Sequence, residues 1–219
     1  MNARDLISQK IVPLRSADTG KFALDHMVDY HVRHLPIVEQ DIYLGLVSED
    51  DILHYDAQSA VGSYDLSFQR PTIKENAHIY DIMQLMAQYQ LTLIPVVDER
   101  ENYIGTIVQS DLLNAFANMA SFVDHGSVIV LETARHNYSL SEIARIVEAE
   151  DAIILSSFIT SLPNSTEIEI TIKISKQNIS AIVAAFHRFN YIVKGSSVED
   201  DYTEGLESNY NMLLHYLNV

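Results

Sequence analysis

Two short stretches carry the residue types from which a binding site is built. In Gly45-Leu46-Val47-Ser48-Glu49-Asp50-Asp51, a hydroxyl and a carboxylate stand three apart, just ahead of the apolar pair Ile52-Leu53. Gly105-Thr106-Ile107-Val108-Gln109-Ser110-Asp111 repeats the order ahead of Leu112-Leu113, with Val108 where the first copy has Ser48. A hydroxyl and an acid at this spacing before an apolar run mark a helix N-terminus. Such an end leaves backbone N–H groups unpaired and carries partial positive charge, so it suits an anion. The same pair admits a reading without any ligand. Ser48 would accept from the backbone of residue 51 while the carboxylate reaches back, a cap worth about 1 kcal/mol. Asp111 lacks that partner at Val108, so capping explains it less well.

The elements that must position these residues are also written twice. Leu35-Pro36-Ile37-Val38 and Leu44 to Val47 are short, apolar and rich in β-branched residues, and so are Leu93-Ile94-Pro95-Val96-Val97 and the run around Ile107; all read as strands. Each pair is joined by a polar turn, one residue longer in the second copy. Ahead of each pair comes a helix: one capped by Thr19 with Phe22, Ala23, His26, Met27 and Tyr30 on one face, the other opened by Asn76 or His78 with Ile79, Ile82, Met83, Met86 and Ala87. Short strands are expected at Val12 to Leu14 and at Thr72-Ile73. The helices after Ser48 and Val108 are expected to run through Val61 and Phe122. Methionine on a helix face is core filler more often than a ligand wall, and Met27 and Met86 are read that way. Such self-similarity implies two like units.

These residues resemble a tandem pair of CBS (cystathionine β-synthase) domains, the unit called a Bateman module, over roughly residues 1 to 120. The resemblance implies two β-α-β-β-α units related by a pseudo-two-fold axis, with an adenosine-bearing ligand such as AMP, ADP, ATP or S-adenosylmethionine between them. It implies that Asp51 and Asp111 border a shared groove and accept from ribose hydroxyls, and that Ser48 faces phosphate. Arg33 and His34, just ahead of the first Leu-Pro strand, fall where phosphate-facing side chains sit. Leu14, Pro36, Ile73 and Pro95 fall on strands that would line the cleft. Because Thr92 and Leu93 replace Arg33 and His34 in the second copy, the two anion-binding halves are expected to be unequal.

Composition narrows the function classes. Acidic residues outnumber basic ones 30 to 14 in a chain of 219 residues, giving a formal net charge of −16. Nucleic-acid binding rests on Lys and Arg neutralising phosphates, and no basic cluster occurs, so no nucleic-acid partner is expected. No apolar run approaches a membrane span, and the Met-Asn-Ala-Arg-Asp-Leu start lacks a secretion-signal core; no membrane partner and a cytoplasmic location are expected. Without cysteine there is no disulfide or thiolate chemistry, and the nine histidines do not fall at zinc-ligand spacing, so no metal is expected. No nucleophile elbow, Walker loop or dinucleotide fingerprint is present, so no catalytic residues and no catalytic cofactor are expected.

After Asp124-His125-Gly126 the pattern changes. Ser127 to Glu132 reads as a strand, Ser139-x-x-Glu142 as a capping box opening a helix to about Glu150, and Ala152 to Thr160 as a second strand. Glu167 to Ser175 alternates strictly, as a half-buried antiparallel strand does. A helix bearing Ile179, Ile182, Val183 and Phe186 and a strand at Tyr191 to Lys194 complete a β-α-β-β-α-β order, the ferredoxin-like arrangement. This part resembles an ACT domain, which implies side-by-side dimerisation and, in many members, amino-acid binding. The loop Thr133 to Tyr138 carries no glycine to let a ligand near the backbone. Leu213, Leu214 and Leu217 suggest a C-terminal helix.

The expected architecture is therefore α/β (α+β): a CBS pair over 1–122, with repeats at about 1–62 and 63–122, an ACT-like domain over 127–200, and an acidic linker and helix over 202–219. The expected function is a non-enzymatic sensor that binds an adenosine-bearing effector and signals by conformational shift, most simply as a homodimer acting on an unidentified partner protein. The alternative is a structural dimerisation or scaffold protein whose clefts are empty.

Overall fold

The structure, a computed structural model, describes residues 1–8, 10–66 and 70–196, and the chain divides into two compact units, Met1–Phe116 and Ala117–Val219. The acidic linker and C-terminal helix expected over 202–219 lie outside the described residues.

In chain order the first unit contains α1 (Gly20–Tyr30), β1 (His34–Glu39), β2 (Ile42–Ser48), α2 (Glu49–His54), β3 (Ile73–Lys74), α3 (Ile79–Tyr89), β4 (Leu93–Val97), β5 (Tyr103–Val108) and α4 (Gln109–Met119). Thr19 caps α1 by accepting from the Phe22 N–H, and His78 caps α3. Both helices stop the same way, on a left-handed non-glycine residue, His31 and Gln90, whose N–H returns to carbonyls of the last turn. β1 pairs antiparallel with β2, and β4 with β5, each with a bulge at the equivalent place. Apolar residues of both hairpins, among them Leu35, Leu46, Ile94 and Ile107, meet Ala23 and Met27 of α1 and Ile79, Ile82 and Met86 of α3 in one core. Met27 and Met86 are buried there, while Phe22 of the predicted α1 stripe is largely exposed. Gly105, at φ +155°, is required by close approach. A Cβ there would fall 2.3 Å from Ile7 Cγ2, where the N-terminal segment crosses β5.

Three local expectations are corrected. The strand at Val12 to Leu14 shrinks to a single parallel bridge, Leu14 to Ile37. Pro13 offers no N–H, and the Arg15 N–H turns aside to Asp18 Oδ2 at 2.7 Å. In the second copy the corresponding contact is Ile73 with Val96, so the repeat symmetry survives. The helix after Ser48 ends at His54 rather than running through Val61. The chain leaves it so that the Ser59 and Ala57 carbonyls can accept from Gly20 and Lys21 N–H, at 3.1 and 2.7 Å, meeting the otherwise unpaired start of α1. α4 stops at Met119, short of Phe122, with Ser121 left-handed and the Phe122 N–H returning to the Ala117 carbonyl.

The second unit contains β6 (Ser127–Ala134), α5 (Leu140–Glu148), β7 (Ile154–Ser161), β8 (Glu167–Ile174), α6 (Ser180–Arg188) and β9 (Ile192–Ser196). Its sheet is wholly antiparallel in the order β7-β8-β6-β9, the arrangement of two interleaved β-α-β units. The alternation read in β8 is exact in the structure: Ile168, Ile170, Ile172 and Ile174 are all buried against Ile143, Ile146 and Val147 of α5 and Ile182 and Phe186 of α6. The capping box at Ser139 is only half made. Ser139 Oγ accepts from the Glu142 N–H, but Glu142 Oε2 instead accepts from the Tyr191 hydroxyl at 2.8 Å. The carboxylate thus ties α5 to the start of β9, and burial, then this bond, push the Tyr191 phenol up to about 12.

Candidate ligand grooves of the first unit

The first copy of the motif is closed on itself. Asp51 Oδ2 accepts from the Ser48 N–H at 2.9 Å and from the Ser48 hydroxyl at 2.7 Å, and Ser48 Oγ accepts from the Asp51 N–H at 3.0 Å. Ser48 is 6% and Asp51 2% exposed. This is the capping box in full, the arrangement a helix start makes without any ligand. The second copy differs because Val108 cannot make that box. Asp111 stays half-buried, and its carboxylate makes no hydrogen bond or ion pair among the described residues.

Two grooves flank these helix starts. The larger, of about 1010 Å³, is lined by Arg33, by Met83, Ala87 and Leu91 from α3 and the turn after it, and by Gln109, Ser110, Leu112 and Phe116 of α4. It sits at the top of the size range of small-molecule sites, about 300–1,000 Å³. Its walls are apolar, its polar end gathers Arg33, Thr92 and the first residues of α4, and no carboxylate occurs among its described lining residues. The smaller, of about 190 Å³, is lined by Arg33, His34, Ser48, Glu49, Asp50, Tyr89 and Gln90. Two carboxylates face it, and α2 beside it is only six residues long. Asp51 and Asp111 line neither groove, although Asp111 lies between two residues that line the larger one.

The strand residues singled out from the sequence line neither groove. Leu14 is 1% exposed, Pro36 and Pro95 are buried within β1 and β4, and Ile73 is half-buried at the start of β3. Arg33 and His34 do come together with Ser48. Arg33 Nε donates to Glu49 Oε2 at 3.2 Å, and Arg33 Nη2 lies 3.9 Å from Asp50 Oδ1. His34 is buried, and that burial, then the charge of Arg33, lowers its pKa; Asp51 and Asp50 oppose the shift without reversing it. A neutral ring fits its bonds. Nδ1 takes the Thr92 N–H at 3.3 Å and lies 2.9 Å from Thr92 Oγ1, which also accepts from the Arg33 N–H at 2.9 Å. Thr92 is therefore one tie between the repeats, a role its sequence neighbourhood did not suggest; another is the Tyr103 N–H, which donates to the Asp41 carbonyl at 2.7 Å. The available signal was positional, since Thr92 occupies in copy two the place of Arg33 in copy one. The equivalence is visible in the backbone. Glu49 N–H donates to the Arg33 carbonyl and Gln109 N–H to the Thr92 carbonyl, at 2.9 and 3.0 Å.

A repeated strand-hairpin-helix unit with this pairing is what the family comparison identifies. The CBS domain model matches residues 3–58 and 64–118, just over half of the chain, and the chain belongs to the CBS domain family. Among curated proteins it is 28% identical over 123 residues to the CBS domain-containing protein YhcV of Bacillus subtilis, covering 53% of this chain and 87% of that one. It is also 25% identical over 116 residues to an uncharacterized protein of Methanocaldococcus jannaschii, covering 51% of this chain and 42% of that one. Among solved structures it is similar to a CBS domain pair/ACT domain protein from Thermotoga maritima, at 23% identity and a TM-score of 0.49, over 54% of this chain and 98% of that one. It is also similar to CBSX2, solved in complex with AMP, at 20% identity and a TM-score of 0.46, over 53% and 96% of the two chains.

Proposed function

We propose that the CBS pair is a non-catalytic sensor of an adenosine-bearing ligand, an adenine nucleotide or S-adenosylmethionine, held in the larger groove. The observation that carries this reading is the division of labour between the two motif copies: Asp51 is spent on a cap, whereas Asp111 has no partner among the described residues and lies beside a groove with apolar walls and an acid-free polar end. CBS pairs commonly hold adenosine-bearing ligands and act as regulatory modules. In this reading the adenine packs on Met83, Leu91 and Phe116, Arg33 with the start of α4 meets the charged end of the ligand, and Asp111, between the lining residues Ser110 and Leu112, turns into the groove on binding to accept from the ribose hydroxyls. Because the groove has walls from both repeats, a bound ligand favours one relative setting of them, and the effect passes on only through differential affinity for the two settings.

We further read the second unit as an ACT-like dimerisation module in a cytoplasmic homodimer. Its sheet order supports this, and the glycine-free loop after β6 favours dimerisation over amino-acid binding. The test of the sensor is calorimetric titration with adenosine, AMP, ATP and S-adenosylmethionine, with Asp111→Ala as the variant. Saturable binding that Asp111→Ala weakens at least tenfold is expected. Absence of saturable binding by all four up to millimolar concentration overturns the reading and leaves a scaffold. Sedimentation of the full chain tests the dimer.

A further inference from the structure

Arg33 stands between the two grooves and lines both. Its guanidinium faces Glu49 and Asp50 at the first turn of α2, 3.2 and 3.9 Å away, and the three side chains are 63%, 44% and 70% exposed. Ion pairs this wet are weak and readily exchanged. Arg33 is also the only guanidinium or ammonium group among the described residues lining the larger groove. Its main chain is held at both ends, the N–H by Thr92 Oγ1 and the carbonyl by the Glu49 N–H, so the side chain swings without disturbing the repeat interface.

We propose that Arg33 is a cation shared by the two grooves, and that Glu49 and Asp50 are internal competitors that a negatively charged ligand in the larger groove must displace from it. The inference rests on the sensor reading above and adds how the site weighs ligand charge. It gives binding a consequence at a distance. When the guanidinium turns to the ligand, two carboxylates lose their countercharge, and the first turn of α2 and the smaller groove feel the change. The ligand's charge in one groove is thereby reported in the other. A neutral adenosine draws no such exchange.

The test is titration of Glu49→Gln with adenosine, AMP and ATP, alone and combined with Arg33→Gln. Glu49 does not line the larger groove, and it is exposed, so the variant keeps the fold; circular dichroism checks this, and Asp50→Asn is the second variant. Removing one competitor is expected to tighten AMP and ATP binding about two- to fivefold, the reach of one solvent-exposed ion pair. Adenosine binding should stay unchanged, and the gain should vanish in the Arg33→Gln background. If the wild-type chain binds nucleotide but Glu49→Gln changes nothing, or tightens AMP equally without Arg33, the shared-cation inference is overturned while the sensor reading stands. If the wild-type chain binds no nucleotide, both fall.

Discussion

Replacing Thr92 by Val keeps the shape of the side chain and removes a hydroxyl that bonds one repeat to the other. Two bonds are lost: the one accepted from the Arg33 N–H at 2.9 Å and the one to His34 Nδ1 at 2.9 Å. The imidazole keeps the Thr92 N–H as a donor, so its loss is the net value of one hydrogen bond, about 0.5–1.5 kcal/mol. The Arg33 N–H is left without an acceptor, which costs about 1–3 kcal/mol when the group is fully buried and less where water reaches it. Since Arg33 is exposed and Thr92 half-buried, the lower part of that range applies, and Thr92→Val should destabilise by about 1–3 kcal/mol in all. With a urea slope of about 2 kcal/mol per molar, the middle of the usual range, the unfolding midpoint followed by far-UV circular dichroism should fall by about 0.5–1.5 M. Amide exchange at Arg33 and Thr92 should accelerate. Thr92→Ser, which keeps the hydroxyl and loses one methyl, should cost less than about 1 kcal/mol. A Thr92→Val variant within about 0.5 kcal/mol of wild type, ordinary for a surface change, would refute the claim that this hydroxyl joins the repeats.

Two further outcomes follow from the same structure. Burial lowers the pKa of His34 below its ordinary 6.5, so the unfolded chain binds a proton that the folded one refuses; the stabilisation is complete above the unfolded pKa and is lost as pH falls below it. The urea midpoint should therefore drop between about pH 7 and pH 5 in the wild type, and His34→Asn should show a shallower drop across that window, where carboxylates contribute little. Gly126 lies at φ +153°, and a Cβ there would fall 2.0 Å from the Ile174 carbonyl oxygen, which belongs to β8 and cannot move without breaking the sheet. Gly126→Ala should destabilise the second unit by roughly 2 kcal/mol or more, seen as a lowered thermal midpoint; an unchanged midpoint would refute the packing argument.

What the sequence by itself determined is what depends on near neighbours. The alternation of Ile168 to Ile174 places every second side chain on one face, and Thr19, Ser48 and Ser139 cap the helices that follow because a cap needs only three residues of chain. The duplication made the fold of the first unit legible, since two copies of one hairpin-helix unit share a core. Even the choice between Asp51 and Asp111 was half written, in the exchange of Ser48 for Val108. Tertiary structure decided the rest. Glu142 is drawn from its cap to Tyr191, forty-nine positions on. α2 is cut short because the start of α1 requires carbonyls from the chain beyond it. The larger groove lies beside the second motif copy, because its walls come from α3, α4 and Arg33, which meet only when the repeats pack. Caps and strand faces obey energies exchanged within a few residues, whereas a groove is the space left over by long-range packing, and no local pattern encodes it.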